Sequence, residues 1–207
     1  MSAQDTSFAR LVSLACHDLR TPLATVAGFA KTLTRMEVEE QLARYLGMID
    51  AASGQLADLL EELALAARIE SGRWEPLVAE VDTLELARSA ADSLDGVAVG
   101  GTGAQVGVDE DSARRALRAL AYCALRHGGL ERVEVTADGT SLVLAPVDAA
   151  TAEICLGREL RDLGAAVGVR ILDALGGSVE EEGETLRVRL PLAPVVGQEQ
   201  RADPQTE

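Results

Sequence analysis

Hydrophobic positions in the first third of the chain fall at helical spacing. Over residues 6 to about 33, Phe8, Leu11, Ala15, Leu19, Leu23, Val26 and Leu33 recur at three- and four-residue steps, as on one face of an α-helix. Leu19 and Leu23, four apart, are read as part of the buried face. Pro22 lies inside this stretch, and its missing N–H predicts a bend just before it. Residues 34–39 break the pattern and read as a short turn. From about residue 38 to 70, two seven-residue series interleave: Leu42, Ile49, Leu56 and Leu63, and Leu46, Ser53, Leu60 and Ala67. Such a seam marks a helical bundle or coiled coil. Two long helices joined by a short turn form an antiparallel hairpin, which leaves one face of each helix uncovered. A homodimer of four helices would cover both.

After Ser71-Gly72-Arg73, where Gly72 suits a helix end, the period changes. Residues 83–94 read as a short amphipathic helix, and 97–99 and 105–108 as brief strands in a glycine-rich stretch. Residues 109–127 form a helix begun by acidic side chains that suit its positive end. Residues 132–136 and 141–144 alternate like strands about the turn Ala137-Asp138-Gly139-Thr140. Residues 161–175 are helical up to Gly176-Gly177, and 178–182 and 185–190 make a second hairpin about Gly183. The expected class is α+β. A helical hairpin occupies residues 1–74, a small α/β sandwich 75–193, and a polar tail, expected to be disordered, 194–207.

Composition narrows the functions open to such a chain. Its net charge of −15 over 207 residues disfavours nucleic acid and anionic membrane surfaces, which call for clustered Lys and Arg. No apolar run approaches the ~20 residues that span a bilayer. The N-terminal MSAQDTSFAR lacks a basic segment followed by a hydrophobic one, so no secretory signal is read. Cys16, Cys123 and Cys155 have no metal-ligand spacing. They read as reduced, mostly buried thiols of a cytoplasmic protein, and no metal site is expected. His127 and Trp74 read as structural, and Glu180-Glu181-Glu182 as a solvated strand end.

The chemistry concentrates at His17, in Ala15-Cys16-His17-Asp18-Leu19-Arg20-Thr21-Pro22-Leu23. Away from the face marked by Leu19 and Leu23, its ring is expected in solvent. Asp18 is its neighbour, and Thr21 lies one turn on along the same face. A free imidazole, titrating near ~6.5, is largely neutral at neutral pH and therefore a nucleophile.

The run from His17 to Leu23 resembles the phosphoacceptor box of two-component sensor histidine kinases. Ala66-Ala67-Arg68-Ile69-Glu70-Ser71-Gly72 resembles the end of that family's second helix. The resemblance implies that His17 takes a phosphoryl group on a ring nitrogen, with Asp18 assisting as acid or base. Thr21 would position water when a regulator is dephosphorylated. An ATP-binding domain is implied after the bundle, and there this sequence departs from the pattern. Residues 111–129 look like the helix bearing the family's Asn-Leu-Leu-Asp-Asn-Ala, but Ala119 and Cys123 stand at the asparagines and Tyr122 at the aspartate. A thiol is a poor ligand for Mg²⁺. The adenine loop, Asp-x-Gly-x-Gly in the family, is Asp148-Ala149-Ala150-Thr151-Ala152, in which Asp148 is left as a vestigial adenine contact. The later glycine motif puts Asp162 where phosphates would lie, and only about eight residues, 153–160, remain for a lid.

The resemblance therefore implies a histidine phosphotransfer protein of a phosphorelay, similar to histidine phosphotransferases derived from histidine kinases. It would carry phosphoryl on His17 between response-regulator receiver domains, as a cytoplasmic homodimer without cofactor, nucleic acid or membrane partner. Two alternatives stay open. One is a soluble histidine kinase with a divergent ATP site. The other is a pseudokinase that binds or dephosphorylates a response regulator.

Overall fold

The computed structural model describes residues 3–35, 40–92 and 94–193; most of the expected turn (36–39) and the expected tail (194–207) lie outside the described residues. Helix α1 (Ala3–Thr34) runs unbroken through position 22, and α2 (Glu40–Glu70) returns beside it. Lys31 meets Asp50 at 3.8 Å near one end of the pair. Val12 and Leu63 border one groove towards the other end, so the helices are antiparallel.

Each helix carries two apolar seams, and only one of each is covered. On α2, Leu46, Ser53 and Ala67 are buried, whereas Leu42, Ile49 and Leu56 are exposed. The two seven-residue series thus face different ways. On α1, Cys16 and Ala30 are buried and Leu19, Val26 and Leu33 are exposed. This corrects the sequence expectation for Leu19, which is 54% exposed and belongs to the outer seam. Three- and four-residue steps alone do not say which of two neighbouring stripes meets the partner helix.

Gly72 adopts φ 65° at the end of α2, a left-handed conformation that glycine reaches without penalty. Ser71 and Arg73 donate their N–H groups to the carbonyls of Ala67 and Arg68, which closes the helix. The chain then forms β1 (Val78–Asp82), α3 (Thr83–Ala91), β2 (Val97–Gly103), β3 (Gln105–Asp109), α4 (Glu110–Gly128), β4 (Val133–Gly139) and β5 (Ser141–Ala145). It continues through α5 (Ala149–Cys155), α6 (Leu163–Ala174), β6 (Ser178–Glu181) and β7 (Leu186–Arg189). Strand β1 was not read from the sequence. Only Val81 in it is buried, so no alternation announces it.

The main sheet has the order β2-β4-β5-β7-β6, with β2 parallel to β4 and the other pairs antiparallel; β1 and β3 form a separate antiparallel pair. Val133, Leu142, Leu144, Leu186 and Val188 of the sheet are buried in one core with Leu86, Leu117, Leu120 and Leu172 of the helices. α6 lies close against α4, and a Cβ at Gly168 would come within 3.1 Å of the Ala116 carbonyl oxygen. The core also takes in Leu65, Ala66, Ile69 and Trp74, so the end of α2 is built into the second half. Arg170 of α6 pairs with Glu70 at 3.0 Å across the same junction.

Acidic side chains do structural work here. Asp82, Asp109, Asp148 and Asp162 are the N-caps of α3, α4, α5 and α6, and each accepts a backbone N–H of the first turn. The acidic run at 180–182 is more than a solvated end. Arg187 pairs with Glu182 and Asp138, and Arg189 with Glu180 and Glu182, tying β6 to β7.

Candidate functional site

His17 is exposed on α1. With Arg20, Thr21, Ala24 and Thr25 it borders a cleft of about 500 Å³, so His17 and Thr21 stand on one face, one helical turn apart. The Asp18 side chain lies outside the described residues. A second cleft of about 490 Å³ joins α1, α2 and α4 and is lined by His17, Arg20, Glu61, Ala64, Arg68 and Arg115. Three guanidinium-bearing residues, one from each helix, therefore share a hollow with the imidazole. Arg115 was not singled out from the sequence. The available signal was the cluster Arg114, Arg115 and Arg118 on one helix of a strongly acidic chain.

Arg115 also faces a larger cleft of about 870 Å³, bordered by Glu62, Arg118, Tyr122 and Asp162. Oε2 of Glu62 is buried there without a hydrogen-bond partner. Burial pushes the Glu62 carboxyl above its ordinary value, Arg115 opposes that shift, and Asp162 and Asp58 add to it. A carboxyl raised in the fold binds its proton more tightly folded than unfolded. Stability should therefore fall as pH rises from the ordinary carboxyl range through the raised value. Glu62→Gln should remove that fall and add up to about 1 kcal/mol at neutral pH. Urea unfolding of both proteins at several pH values would check this.

The residues of the second half do not suit Mg²⁺ and a triphosphate. Cys123 is wholly buried. Its thiol is pushed strongly up by Cys155 beside it and by burial, so it is neutral and offers a hard cation nothing. Ala119 has no ligand atom. At the N-terminus of α6, where an anion would sit, Asp162 Oδ1 accepts the Ala165 N–H at 3.0 Å. Asp148 faces solvent at the start of α5. One of its oxygens accepts the Thr151 N–H at 2.7 Å, which draws its carboxyl below the ordinary range. α5 occupies part of the segment read as a lid, with Ala152, Ile154 and Cys155 buried in the core.

Comparison with known proteins gives the following. The model of the His Kinase A (phospho-acceptor) domain matches residues 9–72. The chain is 32% identical over 108 residues to the probable sensor histidine kinase TcrY of Mycobacterium tuberculosis, covering 52% of this chain and 22% of that protein. It is 29% identical over 230 aligned positions to the histidine protein kinase DivJ of Caulobacter vibrioides, covering 91% of this chain and 38% of that one. It thus spans well under half the length of either curated relative. Among solved structures, full-length ShkA in complex with AMPPNP superposes with a TM-score of 0.68 at 22% identity, over 89% of this chain and 46% of that one. The histidine kinase AdeS of Acinetobacter baumannii gives 0.56 at 18% identity, over 86% and 98% of the two chains. Both superpositions concern the fold. No described helix is long and apolar enough to cross a membrane.

Proposed function

Because the chain belongs to the two-component histidine kinase family, we propose that it is a histidine phosphotransfer protein, carrying phosphoryl on His17 between the receiver domains of response regulators. The observation that carries this reading is an exposed His17 sharing a hollow with Arg20, Arg68 and Arg115. A neutral imidazole attacks the phosphorus of an aspartyl phosphate through its lone-pair nitrogen. The N–P bond forms as the acyl P–O bond breaks, and the carboxylate leaves with the electron pair. Charge on the transferring oxygens is what guanidinium groups stabilise. Asp18 and Thr21 keep the roles that the family resemblance implies, proton handling and orientation.

The acyl phosphate supplies the transfer potential, so the reaction needs no nucleotide. The donor set around Cys123 and Asp162, unsuited to Mg²⁺, supports the same direction. The exposed seam of Leu19, Val26, Leu33, Leu42, Ile49 and Leu56 favours a second copy as partner, giving the four-helix stem. The test is to incubate the protein with a receiver domain labelled on its aspartate. Label should move to this chain within the assay. The reading fails if label never moves, or if ATP with Mg²⁺ labels the chain without any receiver.

Arg115 provides a finer check, because it reaches the hollow from the second half. Arg115→Ala should slow transfer about tenfold to a hundredfold, the worth of one charged hydrogen bond, and leave the circular dichroism unchanged. Arg88→Ala, on an exposed pair with Glu85, should leave the rate alone.

A further inference from the structure

Cys123, Cys155, His127 and Asp162 have no part in the chemistry above, yet the fold gathers them. Cys123 and His127 are one turn apart on α4 and share a face. Cys155 ends α5, and Asp162 caps α6 across the short loop that follows. One donor atom each from Cys123, His127 and Asp162 lie within 4.8 Å of one another. His127 Nε2 is 3.3 Å from Asp162 Oδ2. Cys155 brings a second sulfur 3.1 Å from that of Cys123. Both sulfur-bearing residues are wholly buried, and the His127 and Asp162 side chains are only 17% and 10% exposed.

Donors at 2.0–2.3 Å around a tetrahedral Zn²⁺ stand about 3.3–3.8 Å apart. The His127–Asp162 pair already has that separation, and the sulfur of Cys123 lies within reach of both. A thiolate, an imidazole and a carboxylate suit a borderline-soft cation better than a hard one. Asp162 is held by the Ala165 N–H through its other oxygen, the kind of outer contact that orients a ligand. The 870 Å³ cleft that Asp162, Tyr122 and Arg126 line offers a way in from solvent.

We infer that Cys123, His127 and Asp162 bind one divalent cation of the Zn²⁺ class, with water as its fourth ligand, which fastens the segment between α5 and α6 to α4. On binding, one sulfur–metal bond forms and the Cys123 thiol releases its proton to solvent. His127 gives the Nε2 lone pair, and Asp162 a carboxylate oxygen. The thiolate and the carboxylate together balance the charge of the cation. The fastening goes beyond the phosphoryl reading and does not depend on it.

The test is Co²⁺ titration of the reduced full chain. One Co²⁺ per chain should bind, with thiolate-to-cobalt absorption in the near ultraviolet and an intense tetrahedral band in the visible. One equivalent of Zn²⁺ should bleach both. Cys123→Ser should abolish the absorption. Asp162→Asn, which keeps the helix cap and so the fold, should weaken binding at least about tenfold. Cys16→Ser should change nothing. Absence of the thiolate band in the folded protein overturns the inference. So does a band that survives Cys123→Ser, or a Cys123–Cys155 disulfide in place of metal uptake.

Discussion

His17→Ala should abolish acceptance of phosphoryl from a labelled receiver domain, leaving only the background seen without this protein. No other described side chain at the two clefts offers a nitrogen nucleophile, since their other basic residues are arginines, which stay protonated. The variant should fold normally, because His17 is exposed and the adjacent inward position is held by Cys16. The label on the parent protein should be lost in acid and kept in base, as a phosphoramidate is and an acyl phosphate is not. If His17→Ala kept an acid-labile label, the phosphoryl would sit elsewhere and the proposed function would fall. Thr21→Ala, on the same face, should leave acceptance of the label nearly intact and lengthen the life of the phosphorylated receiver.

Ile49→Glu with Leu56→Glu should convert a dimer to a monomer at micromolar concentration, as read by sedimentation equilibrium. Both positions are exposed in the single chain, at 44% and 53%, and one heptad apart on the outer seam of α2. Burying such side chains is worth about 1.5–3 kcal/mol each. In a two-fold dimer every substitution counts twice, so two unpaired carboxylates per chain outweigh the gain from the rest of the seam. The second half should keep its circular dichroism and its cooperative unfolding, since its core is separate from that seam. A dimer that survived the double substitution would place the interface elsewhere. Ser53→Leu, on the inner seam, should act differently and disturb the packing of α1 on α2 without the same effect on association.

The sequence by itself determined the hairpin, the glycine that ends it and most of the strands and helices that follow. Each is set by local rules: seven-residue spacing, turn residues, and aspartates placed to cap. It also marked His17, because a seven-residue motif is written contiguously along one helix. The inward and outward stripes of α1 and α2 were settled only by the packing of one helix on the other. Leu19 and Cys16 are equally plausible inward residues until α2 chooses its side. Strand β1 escaped notice for a related reason. It exists by pairing with β3, residue 78 against 109, and not by its own pattern.

The hollow that joins His17 to Arg115 could not be foreseen, since its members lie on three helices and about a hundred positions separate the two. Cys123, His127 and Asp162 show the same limit: their spacing matches no metal motif, and they meet only because α4 and the start of α6 converge on one core. Spacing records which groups share a helix face. Contact between faces is decided by burial, which sums over the whole chain and leaves no local mark.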